Sequence, residues 1–342
     1  MAAAAYLWFP PAPTPEVLVR PAPTTTLAPT TPIVFTFSRP ISAVLGDRHP
    51  TVWPRTQGTW SQRDDHTLVF QPGKLGFPLG ATVRIGLTRA FGLVRGSDPT
   101  DVRTLTWPVP TGSARGLEVL LSQLGYLPLV WHPSADRLPA SATSELQTAI
   151  DPTPGSFGWR YRTPATLKSL WQSAAGRAAM VRGAIMAFES THNLPTDGVA
   201  SPQLWSAILR RALTPGGAAA GYSYVYVTET LPETLTLWHD GRVVLTSPIN
   251  TGIPQAPTAL GTYAVYEHLA STTMSGTNPN GTKYSDPGVP WVNYFNGGDA
   301  VHGFVRASYG FPQSLGCVEA PITTAAKIWP YVQVGTLVTI AA

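Results

Sequence analysis

The 342-residue sequence contains one cysteine, Cys317, in the string Ser314-Leu315-Gly316-Cys317, and a His-Gly pair, His302-Gly303, precedes it in the same Gly- and Pro-rich segment. A lone cysteine cannot close an internal disulfide, so its thiol either packs as a small apolar side chain or acts as a nucleophile. A nucleophilic thiol attacks as its thiolate, and with an ordinary pKa near 8.5 it needs a neighbouring imidazole to take its proton. His302 supplies one on a strand predicted to run through DAVHGF, from which a loop can return to Cys317. A tetrahedral intermediate on a carbonyl then requires backbone N–H donors aimed at its oxyanion, and Gly316, directly before the thiol, leaves the backbone free to present them. The chemistry open to these residues is acyl transfer through a thioester.

The elements that must position this pair are mainly strands. From Tyr222 the period is two: YSYVYVTE, then TLTLWHDGRVVLTSPIN, whose Asp240-Gly241 between two alternating runs predicts a tight hairpin. GTYAVYEHL, DAVHGF and GTLVTIA add strands, and PITTAAKIWPYV is the one helical pattern in residues 222–342. Upstream, residues 111–213 read as helices. Leu117, Leu120, Leu121 and Leu124 share one face and Gly125 follows as a stop; Val181, Ile185 and Phe188 repeat the spacing. Ser201 is an expected N-cap with Pro202 at the first helical position, and Leu204, Trp205, Ile208 and Leu209 form the apolar face. Residues 214–221 read as a flexible joint. Residues 33–110, in short alternating runs broken by Gly, Pro and Asp, predict an Ig-like β-sandwich. The Pro- and Thr-rich residues 1–32 predict an extended linker. The expected class is multidomain α+β: an N-terminal β-sandwich, a helical middle domain and a mainly β C-terminal domain.

Composition narrows the function. Charged residues make up 12% of the chain, and 23 basic against 19 acidic residues give a net charge of +4 without a Lys or Arg run. A nucleic-acid footprint is therefore unsupported. No apolar stretch reaches a membrane span, and Pro10 and Pro11 end the N-terminal apolar run too early for a secretory signal, so the protein either stays inside or has lost an export segment. His49, His66, His239 and His268 lack partners at metal-ligand spacing and read as structural, and the chemistry at Cys317 calls for no metal and no cofactor.

The His-Gly…Ser-Leu-Gly-Cys string resembles the motif of the L,D-transpeptidases with a YkuD-type catalytic domain, a His followed after a spacer by Ser/Thr-His-Gly-Cys. The resemblance runs from Tyr222 to Ala342 and includes the turn region from Asn250 to Tyr263. It implies Cys317 as acyl-forming nucleophile, His302 as base, the Gly303 carbonyl as orienter of the imidazole, and the amides of Gly316 and Cys317 as oxyanion hole. It also implies a lid over TTMSGTNPNGTKYSDPGVPWVNYF with Tyr284 as gate tyrosine. Ser314, Trp291, Tyr294 and Tyr309 are expected to line or buttress the cleft. Two positions depart from the motif: Leu315 stands for its second His, and Glu319 for an Asn or Arg. Glu319 is expected either to contact substrate or to cap the helix starting near Pro321. In the middle domain Leu124-Gly125-Tyr126, Ala184 to Glu189 and Asp197-Gly198-Val199 to Trp205 resemble a three-helix peptidoglycan-binding domain, interrupted from Pro128 to Gly176.

Together these likenesses imply a bacterial envelope enzyme, extracytoplasmic, that cross-links peptidoglycan stem peptides through a Cys317 acyl-enzyme with release of terminal D-Ala. Peptidoglycan stems and glycan would be its partners, and carbapenem-type β-lactams would acylate the same thiol. The alternatives are an L,D-carboxypeptidase or endopeptidase, in which water replaces the amine, and a non-catalytic wall-binding scaffold.

Overall fold

The computed structural model describes residues 14–94, 100–135, 139–214, 216 and 221–342. Two compact units divide the chain, Met1–Gly112 and Ser113–Ala342.

The first unit is built from β1 (Glu16–Arg20), β2 (Ile33–Phe37), a single helical turn α1 (Ile41–Val44), β3 (Thr51–Trp53), β4 (Gly58–Gln62), β5 (Thr67–Pro72), β6 (Thr82–Leu93) and β7 (Thr100–Pro108). The strands run in the order β3-β6-β1-β2-β5-β4, with β7 on β6. The long β6 pairs with β3 and β7 through its first half and with β1 and β7 through its last residues. Inward residues from both halves, among them Val17, Phe35, Ile85, Phe91 and Trp107, close one core. The unit is mainly β, as the alternating runs of 33–110 predict, but its strands begin earlier than the sequence indicates. The linker expected over 1–32 is not an extended tether from residue 14 onward; residues 1–13 lie outside the described chain. β1 alternates exposed and buried side chains, Leu27 is fully buried, and the Thr24 and Leu27 amides donate to the Thr106 and Pro108 carbonyls beside β7. Pro lacks an N–H and cannot donate to a ladder, but Glu16–Arg20 is free of Pro and pairs with β2 and β6, and the amides of Thr24 and Leu27 tie the residues after it to β7.

The second unit opens with α2 (Ala114–Gln123), β8 (Leu129–Pro133), α3 (Ala142–Ile150), β9 (Gly155–Trp159), α4 (Ala165–Gln172), α5 (Ala174–Thr191) and α6 (Pro202–Ala212). Ser113, Ser141, Ser173 and Ser201 cap four of these helices by accepting a hydrogen bond from a first-turn amide, and Pro202 follows Ser201 as expected. Between Pro128 and Gly176 the described residues form the antiparallel pair of β8 and β9 with α3 between them in sequence, then α4 and the start of α5. The expected separation of 111–213 from the C-terminal part is not observed. α5 packs on the strands that follow: a Cβ at Gly183 would lie 2.6 Å from the Gly335 carbonyl oxygen, and one at Gly335 would lie 2.3 Å from that of Gly183. The backbones touch, and the helical segment and the strands share one compact unit. Of the joint expected at 214–221, residues 215 and 217–220 lie outside the described chain.

The remainder comprises β10 (Ser223–Thr228), β11 (Thr234–His239), β12 (Arg242–Pro248), β13 (Gly261–Ala264), β14 (Glu267–Thr277), β15 (Lys283–Asn296), β16 (Asp299–Gly303), β17 (Val318–Ala320), α7 (Ile322–Ile328) and β18 (Leu337–Ala341). A five-stranded sheet, β12-β11-β10-β18-β13, and a four-stranded sheet, β14-β15-β16-β17, share a core of Val225, Leu237, Val301, Val318, Ile328 and Val338 with their neighbours. Asp240 and Gly241, both with positive φ, make the expected hairpin turn between β11 and β12.

Candidate functional site

β16 and β17 are parallel neighbours in register, with His302 opposite Glu319 and Val301 opposite Val318. Cross-strand partners share a sheet face and successive residues alternate. His302, Glu319 and, just before β17, Cys317 therefore project to one side, while Val301, Val318 and Ala320 enter the core on the other. Strand register thus sets the histidine and the thiol on the same face of the sheet.

His302 is 2% exposed. Its Nδ1 lies 3.1 Å from the Gly303 carbonyl oxygen, which can only accept, so Nδ1 carries the proton and Nε2 is left as an acceptor. Burial, the leading cause, lowers the imidazole pKa; the Gly303 hydrogen bond and the Glu319 charge oppose this, and Arg306 adds to it. The Cys317 thiol packs beside Val292, Ala300 and Tyr294 and donates to the Gly298 carbonyl at 3.7 Å. Burial pushes its pKa up to about 12, with Asp299 and Glu319 adding to the rise. At neutral pH the thiol and the imidazole on this face are therefore both neutral at rest, so a thiol that attacks from here needs a base to take its proton.

Hydrogen bonds hold the loop ahead of Cys317. Glu233 is fully buried and accepts from the Thr251 amide at 2.7 Å and its hydroxyl at 2.6 Å. Thr251 in turn accepts the Ser314 amide, and Asn250 exchanges backbone hydrogen bonds with Glu319 and accepts the Gly310 amide on its side chain. Gly316 has φ of +116°, and a Cβ there would lie 2.5 Å from Asp299 Oδ1, so this position requires glycine. Glu233, Asp299 and Arg306 carry no motif signal; Asn250 and Thr251 open the turn region from Asn250 to Tyr263 that the sequence singles out.

Several expected roles change. Ser314 is buried, and its hydroxyl donates to the Cys317 carbonyl at 2.5 Å and accepts from the Gly316 amide at 3.2 Å, so it braces the loop rather than contacting substrate. The same bond engages the Gly316 amide expected in the oxyanion hole. Trp291 packs into the core shared by the two sheets and against Trp329, on the side of β15 away from the thiol. Tyr309 donates to the Phe304 carbonyl at 2.5 Å and accepts the Arg306 amide, tying its own loop. Glu319, 4% exposed, neither caps α7 nor stands open to a ligand: Arg306 grips it through Nε at 2.7 Å and Nη2 at 2.8 Å, and α7 starts at Pro321 without a side-chain cap. Tyr284 and Tyr294 do stand near the thiol. Each has its pKa raised, first by burial and next by the Cys317 charge, and Tyr284 sits on the β14–β15 hairpin opposite Gly276.

Among the described residues no group of His, Cys, Asp and Glu could hold a metal, and no helix is long and apolar enough to cross a membrane.

Residues 223–340 match the family described as L,D-transpeptidase catalytic domain, YkuD. Among solved structures, the catalytic domain of the E. faecium L,D-transpeptidase is 27% identical and covers 34% of this chain and 95% of its own, with a TM-score of 0.32. An L,D-transpeptidase from Mycobacterium smegmatis is 14% identical and covers 97% and 100%, with a TM-score of 0.31. L,D-transpeptidase 3 from Mycobacterium tuberculosis, in complex with a faropenem-derived adduct, is 13% identical and covers 95% and 97%, also at 0.31. No curated protein matches the chain. The family match falls on the strands that carry His302 and Cys317, and the chain is thereby an acyltransferase bearing, in residues 223–340, a YkuD-type L,D-transpeptidase catalytic domain with peptidoglycan L,D-transpeptidase function.

Proposed function

We propose that Cys317 and His302 carry out this transfer in the bacterial envelope, outside the cytoplasm, on peptidoglycan stem tetrapeptides. The observation that carries the reading is the β16–β17 register: it sets a buried imidazole with a fixed tautomer on the same face as the only thiol. As Cys317 Sγ attacks the carbonyl carbon of the third stem residue, its proton passes to His302 Nε2. The oxyanion takes the Cys317 amide and that of Gly316, which exchanges Ser314 Oγ for it. Collapse breaks the C–N bond, and the departing D-Ala amine takes the proton from His302. The side-chain amine of a neighbouring stem then attacks the thioester carbon, forming a C–N bond and breaking C–S, and its surplus proton returns through His302 to the sulfur.

Tyr284 on the β14–β15 hairpin closes over the donor, and Tyr294 forms the wall beside the thiol. The helical segment, held against β13 and β18, holds the enzyme on the polymer. Carbapenems acylate Cys317 because a strained lactam carbonyl presents the same electrophile.

Intact-protein mass after incubation with imipenem tests this. One stoichiometric adduct is expected, absent in Cys317→Ala and formed far more slowly in His302→Ala. No adduct, or one indifferent to His302, would overturn the assignment.

A further inference from the structure

A groove of about 450 Å³ runs between α5 and the end of the β15–β16 hairpin. Ala178, Ala179 and Arg182 form one wall, and Tyr263, Tyr266 and Phe295 the other, with Gly297 at the lip. The aromatic wall is fixed: Tyr263 lies 5.9 Å from Phe295, and Tyr266 stacks on Tyr294 at 6.1 Å and donates its hydroxyl to the Gly297 carbonyl. The opposite wall is fixed by the backbone contact of Gly183 with Gly335.

Two features connect the groove to the chemistry. Gly297 is at its lip, and the carbonyl of the next residue, Gly298, is the acceptor 3.7 Å from the Cys317 sulfur. A Cβ on Gly297 or Gly298 would meet no atom within 4 Å, so this turn raises no side-chain barrier between groove and thiol. Arg182 is the one charged residue in the lining, and among the described residues it makes no hydrogen bond or ion pair. An arginine set over small and aromatic walls suits a carboxylate on a chain with apolar side groups.

The geometry points to this groove as the seat of the acceptor stem peptide, with Arg182 binding a carboxylate of that peptide while its side-chain amine crosses the Gly297–Gly298 turn to the thioester. The inference rests on the acyl-enzyme reading above. It assigns the α5 helix a part in choosing the acceptor, through charge complementarity and the two-glycine turn between groove and sulfur.

The test is steady-state transfer from a donor tetrapeptide to a synthetic acceptor peptide with a side-chain amine, made with either a C-terminal carboxylate or a carboxamide. Arg182→Gln should raise KM for the carboxylate acceptor about tenfold, leave kcat close to the parent value and abolish the preference over the carboxamide; Arg182→Lys should restore part of it. Ala178→Trp, which fills the groove from an exposed helix position, should raise KM for both acceptors. In every variant the rate of acylation by imipenem, which uses no acceptor, should stay unchanged. An acceptor KM indifferent to residue 182, or one that rises equally for both acceptors in Arg182→Gln, overturns the groove assignment and leaves the acyl-enzyme standing. A parent chain that imipenem does not acylate overturns the acyl-enzyme and the groove with it.

Discussion

The two faces of the four-stranded sheet are built from the same strands and differ in kind. One face presents His302, Cys317, Glu319 and Tyr294; the other sends Val301, Val318, Ala320, Trp291 and Phe295 into the core. Neighbouring residues in sequence fall on opposite sides, so adjacent aromatics such as Trp291 and Tyr294 divide between packing and the site. The difference teaches that stability and chemistry are separable here by parity along a strand, and substitutions on the two faces should move different observables.

The largest expected effect is on the polar face. His302→Gln removes the base while keeping a polar side chain of moderate size, and should lower the imipenem acylation rate by about 10²- to 10⁴-fold. The unfolding midpoint should hardly move. On the core face Trp291→Ala should do the reverse. It removes a large half-buried ring from the core and from its contact with Trp329, costing about 2–3 kcal/mol of unfolding free energy by chemical denaturation. The adduct should still form at the parental stoichiometry. If Trp291→Ala instead abolished acylation in protein that remains folded, the separation of the faces would be wrong.

Arg306 tests the boundary between the two observables, because Glu319 is buried on the polar face and its charge is held by this one guanidinium. Arg306→Met leaves the carboxylate without its cation, and should cost about 2 kcal/mol, below the figure for fully buried pairs because Arg306 is 31% exposed. It also removes a charge that lowers the His302 pKa while leaving the Glu319 charge that raises it. The acid limb of the acylation rate should therefore move to higher pH. A limb that stays in place would show that the Arg306 charge does not set the His302 pKa.

In the parent enzyme the same limb has a definite sign. His302 acts as a base when neutral, and its lowered pKa keeps it neutral to below the usual 6.5. The thiol, pushed up to about 12, generates no inflection near 8.5. The acylation rate should stay level from below pH 6.5 through pH 9. A step between pH 8 and 9 would show that a free thiolate, and not a proton transfer coupled to attack, limits the reaction.

How much of this was legible in the sequence follows from the range of each interaction. The Asp240-Gly241 turn and the cap at Ser201 are set by residues within a few positions, and local chemistry reveals them. His302 and Cys317 were legible because strand, loop and return is a short circuit and because the string resembles a known motif. The face that Trp291 takes was not legible, because it depends on the register of β15 and on a positive φ at Trp291 itself, neither of which a local pattern reports. The Arg306–Glu319 pair joins a loop to a strand, and neither residue marks the other in the sequence. The Pro-rich run before Ile33 looked solvated because its composition opposes a ladder; five residues, Glu16–Arg20, nonetheless suffice for one strand. The contact of α5 with β13 and β18 depends on Gly183 meeting Gly335, far apart in the chain, and no local pattern reports it.

The smallest expected effect lies away from the sheet, in a second buried glutamate that contrasts with Glu319. Glu189 on α5 is 1% exposed and accepts the Gly198 amide at 2.9 Å, but among the described residues no cation pairs with it, and Asp197 stands nearby. Burial, reinforced by Asp197, lifts its pKa to about 7. A carboxyl whose folded pKa is raised favours folding in its protonated form. That contribution is complete below the unfolded pKa near 4.5 and is lost as pH rises through 7. Allowing for solvent screening, the loss between pH 5 and pH 8 should be about 1 kcal/mol, or ~2–4 °C in Tm for a unit of this size. Glu189→Gln keeps an oxygen for the Gly198 amide and cannot ionise, so its Tm should lack this decline and exceed the parent's at pH 8. The same substitution leaves the His302–Cys317 face untouched, and acylation by imipenem should be identical in both proteins. A parental Tm that rises from pH 5 to pH 8 would mean that Glu189 is ionised in the folded state, held by the Gly198 amide strongly enough to outweigh its burial.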